Sequence, residues 1–286
     1  MGGLQDLSVL TEILAAASLL VEVRDARIPL LSSASPMPRR FIAKRRIVLL
    51  NKADRAEPGL TSAWAERLRS EGETVIVASA LNPGPTVGRL RALLEELGRQ
   101  GRGRSLTRAA VIGLPNVGKS TLLNGLARGN RARTGDRPGI TRGKQWVKLA
   151  PNVYLLDSPG AVPLADRIEQ RLPEQLFKLG LCRILPDGRM EPVDIVRDFI
   201  TWLRSHGHKL PATYAALNDV AIGPEEALAA LAESFGHLSL GGRPDPSSAA
   251  RRLMVDFAAG KLGRFTLEDP ARVGQAGPLS GDPEGL

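Results

Sequence analysis

Three short segments carry residue types that could do chemistry at a triphosphate. Gly113-Leu-Pro-Asn-Val-Gly118-Lys119-Ser120 matches G-x-x-x-x-G-K-[ST], and it follows an apolar run and precedes a helix-like one. The glycines let the chain turn so that the amides of Asn116, Val117, Gly118, Lys119, Ser120 and Thr121 can wrap phosphate oxygens at a positive helix end. Lys119 is placed to reach the β- and γ-phosphates, and Ser120 to ligate Mg²⁺. Asn51-Lys52-Ala53-Asp54 closes another apolar run. The Asp54 carboxylate can accept hydrogen bonds from the ring N–H and exocyclic amine of guanine, a donor pair adenine lacks. Asn51 would support that loop and the Lys52 stem would cover the ring. Ser79 and Ala80, after a third run, would offer backbone amides to the guanine carbonyl. Asp157-Ser158-Pro159-Gly160 closes a fourth run. There Asp157 would hold Mg²⁺ and the Gly160 amide would sense the γ-phosphate.

Between the two phosphate segments, Gly113–Ser120 and Asp157–Gly160, lies Arg128 to Gln145, rich in Gly and Arg. A mobile stretch here suits a γ-phosphate-dependent switch. Thr141 is the favoured hydroxyl for Mg²⁺ and the γ-phosphate, with Thr134 as competitor. The order of the segments is unusual. Base recognition precedes phosphate binding, the reverse of an ordinary small GTPase, as follows if the old termini are joined through the basic, Gly-rich stretch Gly98 to Arg108.

Elements that must position these groups can be read from periodicity. Leu19–Val23, Ile47–Leu50, Thr74–Ala78, Ala110–Gly113 and Val153–Leu156 read as buried parallel strands, and Ser62–Glu71, Thr86–Leu97 and Lys119–Ala127 as helices. This alternation predicts an α/β fold, a doubly wound sheet binding ligands at the carboxyl ends of its strands. After Gly160 the pattern turns helical. Val196, Phe199, Ile200 and Leu203 form one stripe behind Pro192; further helices open at Pro224 and Pro246 and stop at Gly236 and Gly260. The expected organisation is a circularly permuted P-loop GTPase domain over 1–163, a smaller all-α domain over 164–270, and a disordered tail over 271–286.

The 286-residue chain is long enough for two such units, and its net charge is +9. Residues 1–150 hold 25 Lys+Arg against 12 Asp+Glu, whereas residues 151–286 hold 14 against 18. A basic surface attracts polyanions, so nucleic acid is a candidate partner, although Arg, Ala, Gly and Pro are plentiful throughout. Neither a membrane span nor a signal peptide is expected, because Ser18 and Glu22 break the best apolar run. Cys182, the single cysteine, reads as a small buried hydrophobe in a reducing compartment.

These segments in this order resemble the circularly permuted ribosome biogenesis GTPase A family of bacteria and its mitochondrial and chloroplast relatives. The resemblance also takes in Asp25-Ala26-Arg27-Ile28-Pro29, Thr134-Gly135-Asp136-Arg137-Pro138-Gly139-Ile140-Thr141 and Gly260-Lys261-Leu262-Gly263-Arg264, and covers roughly residues 19–268. It implies GTP/GDP and Mg²⁺ as ligands, and a cytoplasmic or organellar monomer acting on the large ribosomal subunit. The helical part would meet ribosomal RNA, with Arg251, Arg252, Lys261 and Arg264 as first candidates. It also implies a K⁺ ion held by Asn116 beside the phosphates, and an N-terminal His to orient water. Here no His precedes His206, and Ala161 stands where many GTPases carry the water-orienting Gln. The catalytic set is therefore Lys119, Thr141 and Gly160, without a named group for the water. A GTP-gated RNA- or ribosome-binding module with little hydrolysis is the alternative.

Overall fold

The computed structural model describes residues 12, 14–34, 44–79, 83–100, 106–134, 146–150, 153–157 and 171–272. Six strands form one sheet: β1 Leu19–Asp25, β2 Arg45–Asn51, β3 Thr74–Val77, β4 Thr107–Ile112, β5 Trp146–Ala150 and β6 Val153–Asp157. Their order is β3-β2-β1-β4-β6-β5, parallel throughout except where β5 runs against β6. All five expected parallel strands are present; β5 is an additional, antiparallel edge strand.

The helices that cover the sheet are α1 Pro58–Ser70, α2 Pro83–Gln100 and α3 Lys119–Thr134. Strand alternation divides the core between the two faces. Val48 and Leu50 pack with Trp64 and Leu68 of α1. Ile47 and Leu49 point the other way, into the cluster that holds Leu90, Leu94, Leu122 and Leu126. Burying each such large apolar side chain contributes about 1.5–3 kcal/mol, which makes the alternation decisive for register. β1, at the centre, is buried along its whole length, so its charges are paired: Glu22 meets Arg24 at 3.0 Å and Arg46 at 3.2 Å.

Helix α1 starts four residues before the expected Ser62. Glu57 caps it by accepting from the amides of Gly59 and Leu60, and Pro58 is preset for the first turn. Helix α3 runs to Thr134, past the expected end at Ala127, so the first seven residues of the segment expected to be mobile are helical.

Beyond residue 170 come α4 Pro173–Leu181, α5 Pro192–Ser205, a 3₁₀ segment Ala212–Asn218, α6 Pro224–Ser234 and α7 Pro246–Ala259. Each of the four α-helices opens on a proline at its first turn. Their apolar stripes join the core cluster under the sheet, with Phe199 edge-on to Phe257 at 5.4 Å and to Phe265 at 6.0 Å. After α7 the chain returns over the sheet half. The Phe265 amide donates to the Arg55 carbonyl and the Leu267 amide to the Arg27 carbonyl, while Trp64 Nε1 donates to the Glu268 carbonyl. The expected boundary at 163–164 and residues 273–286 of the expected tail lie outside the described residues. Ala271 and Arg272 are both bonded back to Asp269.

Candidate nucleotide site

From β1 the chain moves to β2 on one side; from β4 it moves to the other side, first to the edge strand β5 and then back to β6 beside β4. The crevice at the carboxyl ends of β1 and β4 is thus the point where ligands bind in such sheets. Register brings the sequence-predicted groups to that edge. Asp25 lies beside Asn51, Leu50 beside Val77, and Val111 beside Asp157. The loop 113–118 leaves β4 between them and runs straight into α3.

The base and phosphate segments interlock. Asn51 Nδ2 donates to the Val117 carbonyl at 2.8 Å, and Lys52 Nζ donates to the Asn116 carbonyl at 2.6 Å. Gly118 has φ +104°, and a Cβ there would stand 2.2 Å from Asn51 Nδ2. Gly113, at φ +150°, passes so close over β1 that a Cβ would lie 2.5 Å from the Val23 carbonyl oxygen. Both glycines are therefore required by close approach as well as by backbone conformation. Lys119 is buried and donates to the carbonyls of Gly113 and Leu114 at 2.8 and 2.7 Å, which holds its ammonium inside the loop's curl. Ser120 and Thr121 are exposed at the first turn of α3.

At the base end, Ser79 Oγ donates to Asp54 Oδ1 at 2.7 Å. Asp54 Oδ2 is buried and has no hydrogen-bond partner among the described residues; its nearest cation is Arg55 Nε at 3.3 Å. A buried carboxylate oxygen without a donor is costly, and a ligand offering paired N–H groups would relieve it. The donor pair of guanine fits this need.

Behind the loop stands Asp25, to which the motifs assigned no role. It pairs with Lys52 at 2.9 Å and with Arg27 at 2.8 Å. Burial would raise its pKa, but these two cations outweigh that and hold the carboxyl well below the usual range. The signal for it was available: an acidic residue at the carboxyl end of an apolar strand, as at Asp157. Asn116, at φ +59°, sends its Nδ2 to the Arg183 carbonyl at 2.6 Å, just past α4. A groove of about 760 Å³ opens there, between Pro115 and Asn116 on one side and Arg183, Met190, Arg251 and Val255 on the other.

Ala80, Thr141, Gly160 and Ala161 lie outside the described residues, and of Asp157 only the strand position is described. Among the described residues no group of three or more His, Cys, Asp or Glu could hold a metal. The hydroxyl of Ser120 and the carboxylate of Asp157 nevertheless suit Mg²⁺, which takes few protein ligands and relies on phosphate oxygens. Cys182 is buried and its thiol is pushed up to about 12 by burial, so it is inert as a nucleophile. Of the basic candidates, Arg252 and Lys261 both pair with Asp256 at 2.9 Å, while Arg251 and Arg264 are exposed. No helix among the described residues is long and apolar enough to cross a membrane.

Comparison with known proteins agrees with this geometry. The model of the 50S ribosome-binding GTPase family matches residues 108–208. That span starts at β4 and leaves out Asn51–Asp54, as a permuted chain requires. Ribosome biogenesis GTPase A of Bacillus cereus is 32% identical over 275 residues, covering 93% of this chain and 90% of the relative. The Thermotoga maritima protein of that description is 33% identical, covering 91% and 88%. Among solved structures, GDP-bound YlqF aligns with TM-score 0.68 and 32% identity over 92% of this chain and 99% of that one. GNP-bound YlqF from T. maritima gives 0.67 and 29% over 93% and 98%.

Proposed function

We propose, since the chain belongs to the ribosome biogenesis GTPase A family, that it binds GTP and hydrolyses it to GDP and phosphate as a switch in large ribosomal subunit assembly. The observation that carries this is the Asp54 carboxylate, held by Ser79 at one oxygen and, at the other, ion-paired with Arg55 but without a hydrogen bond among the described residues, on the sheet edge shared with the phosphate loop. Asn51 and Lys52 fasten the base loop to the phosphate loop, Lys119 and the amides of 116–121 hold the phosphates, and Ser79 and Ala80 complete the base pocket. Ser120, Thr141 and Asp157 would hold Mg²⁺, which when bound neutralises phosphate charge. Gly160 would report the γ-phosphate to the helices that follow.

In this reading residues 1–163 are the GTPase domain and 164–270 the helical domain, and the protein is a cytoplasmic or organellar monomer. The helical domain meets ribosomal RNA, and Arg251, at the groove beside Asn116, and Arg264 are the first basic residues to test. Asn116 would hold K⁺ through Oδ1, the amide atom able to ligate a cation, while Nδ2 donates to the Arg183 carbonyl. Turnover is slow alone and rises on the ribosome, since Ala161 cannot orient water and the three histidines all lie in the helical half. Those same two facts favour a second reading, a GTP-gated binding module with little hydrolysis.

The test is cosedimentation with purified large subunits, together with GTP turnover in their presence and absence. Binding with a GTP analogue, release with GDP and stimulated turnover are expected. Binding without stimulation selects the second reading, and no nucleotide-dependent binding removes both.

A further inference from the structure

The guanine loop is anchored from behind at two points, and both anchors end on one helix. In the first, Lys52 pairs with Asp25, and the same carboxylate takes Arg27 through Nε at 2.9 Å and Nη2 at 2.8 Å. Arg27 Nη1 then donates to the carbonyl of Phe257 at 3.3 Å, with its guanidinium 5.1 Å from the centre of the Phe257 ring. In the second, Arg55 Nε lies 3.3 Å from Asp54 Oδ2 while Arg55 Nη1 donates to the carbonyl of Ala258. Phe257 and Ala258 belong to the last turn of α7, whose carbonyls lack full intrahelical partners and carry the negative end of the helix dipole. Two guanidinium groups thus cap α7: Arg55 pairs directly with Asp54, and Arg27 reaches Lys52 through the shared Asp25 carboxylate.

We propose that Arg27 and Arg55 are positioning residues that couple guanine occupancy to the seating of α7 on the sheet half. This inference rests on the GTP-site reading above and adds a connection that does not involve the γ-phosphate. Seating α7 fixes Arg55, and so Asp54, and fixes Arg27, and so Asp25 and Lys52; guanine binding restrains the same side chains from the other end. Linkage makes the effect reciprocal: whatever the base contributes to α7, α7 returns to base affinity. GDP and a GTP analogue are therefore equally effective, whereas a γ-phosphate switch separates them.

Backbone hydrogen exchange at Gly260 and Lys261, whose amides donate to the carbonyls of Phe257 and Asp256, reads the end of α7 directly. In the full-length protein, saturating GDP should slow both amides by about fivefold or more, a GTP analogue by the same factor, and ADP not at all. In Arg55→Met the protection by GDP should shrink and GDP affinity should fall by the matching factor, with exchange at Ser248 and Ala249, at the start of α7, unchanged. Arg55→Lys, which keeps the charge on a different stem, should restore part of both. If GDP binds the unmutated protein and neither amide slows, or only the GTP analogue slows them, the coupling is wrong and the nucleotide reading stands. Failure of GDP to bind overturns both.

Discussion

Replacing Asp54 by Asn changes one atom at the proposed point of base selection. The carboxylate is positioned by Ser79 Oγ at 2.7 Å on Oδ1, and Oδ2 is buried with no hydrogen bond among the described residues, Arg55 Nε lying 3.3 Å from it. Guanine would give it two N–H bonds, each worth about 1.5–3 kcal/mol because the acceptor is charged. Asn keeps a single acceptor and turns an NH₂ group toward a ring edge that also donates. At least one bond is lost and a donor–donor contact is added, together roughly 3–6 kcal/mol, or about 10²–10⁴ in Kd. Xanthine has a carbonyl in place of the exocyclic amine, so the Asn NH₂ can donate to it and XDP should bind the variant more tightly than the unmutated protein. Calorimetric titration of GDP, XDP and ADP into both proteins measures this, with Tm as a check on folding. GDP affinity within threefold of the unmutated protein would refute the assignment, because Asp54 would then not face the base.

Other outcomes follow from the same geometry. Gly118→Ala must strain a backbone at φ +104° and displace the Asn51 amide, so it should cost about 2–4 kcal/mol, read as weaker GDP binding or a lower Tm. Unchanged values of both would mean that the two loops do not interlock. The Glu268 carboxyl accepts from the Leu30 and Leu31 amides, and burial pushes it up to about 7 from an ordinary 4.5. The folded chain therefore holds this proton more tightly. Its contribution of roughly 3 kcal/mol is complete below about pH 4.5 and is lost as pH rises through about 7. Denaturation of the unmutated protein and Glu268→Gln between pH 5 and 8 should show this slope only in the former; parallel profiles would exclude it. Finally, GTP turnover should be faster in KCl than in NaCl, and equal rates would remove the K⁺ role of Asn116.

Much of the site could be read locally, because its logic is local. A glycine-rich turn between strand and helix makes a phosphate cradle wherever the strand sits, and a carboxylate closing a buried strand must emerge at the sheet edge. Helix starts were legible at Pro192, Pro224 and Pro246, where proline precedes a clear apolar stripe; α4, nine residues opening at Pro173, was missed, and at α1 Glu57 and Pro58 extended the helix beyond its apolar stripe. Strand β5 was missed because Trp146-Val-Lys-Leu-Ala150 is short and broken by a lysine, so it has no continuous apolar run of the kind that marks the central strands.

Sequence alone thus determined which chemistries are present and, by their order, that the sheet is permuted. Only the tertiary structure decided how they are joined. Gly118 is glycine because Asn51, sixty-seven residues earlier, lies against it. Asp25 is a shared counter-ion because strand order sets β1 beside β2. Arg27 and Arg55 cap α7, some two hundred residues downstream in each case. Spacing encodes contacts only within a turn of helix or a pair of strands, whereas these depend on which elements the buried core packs together.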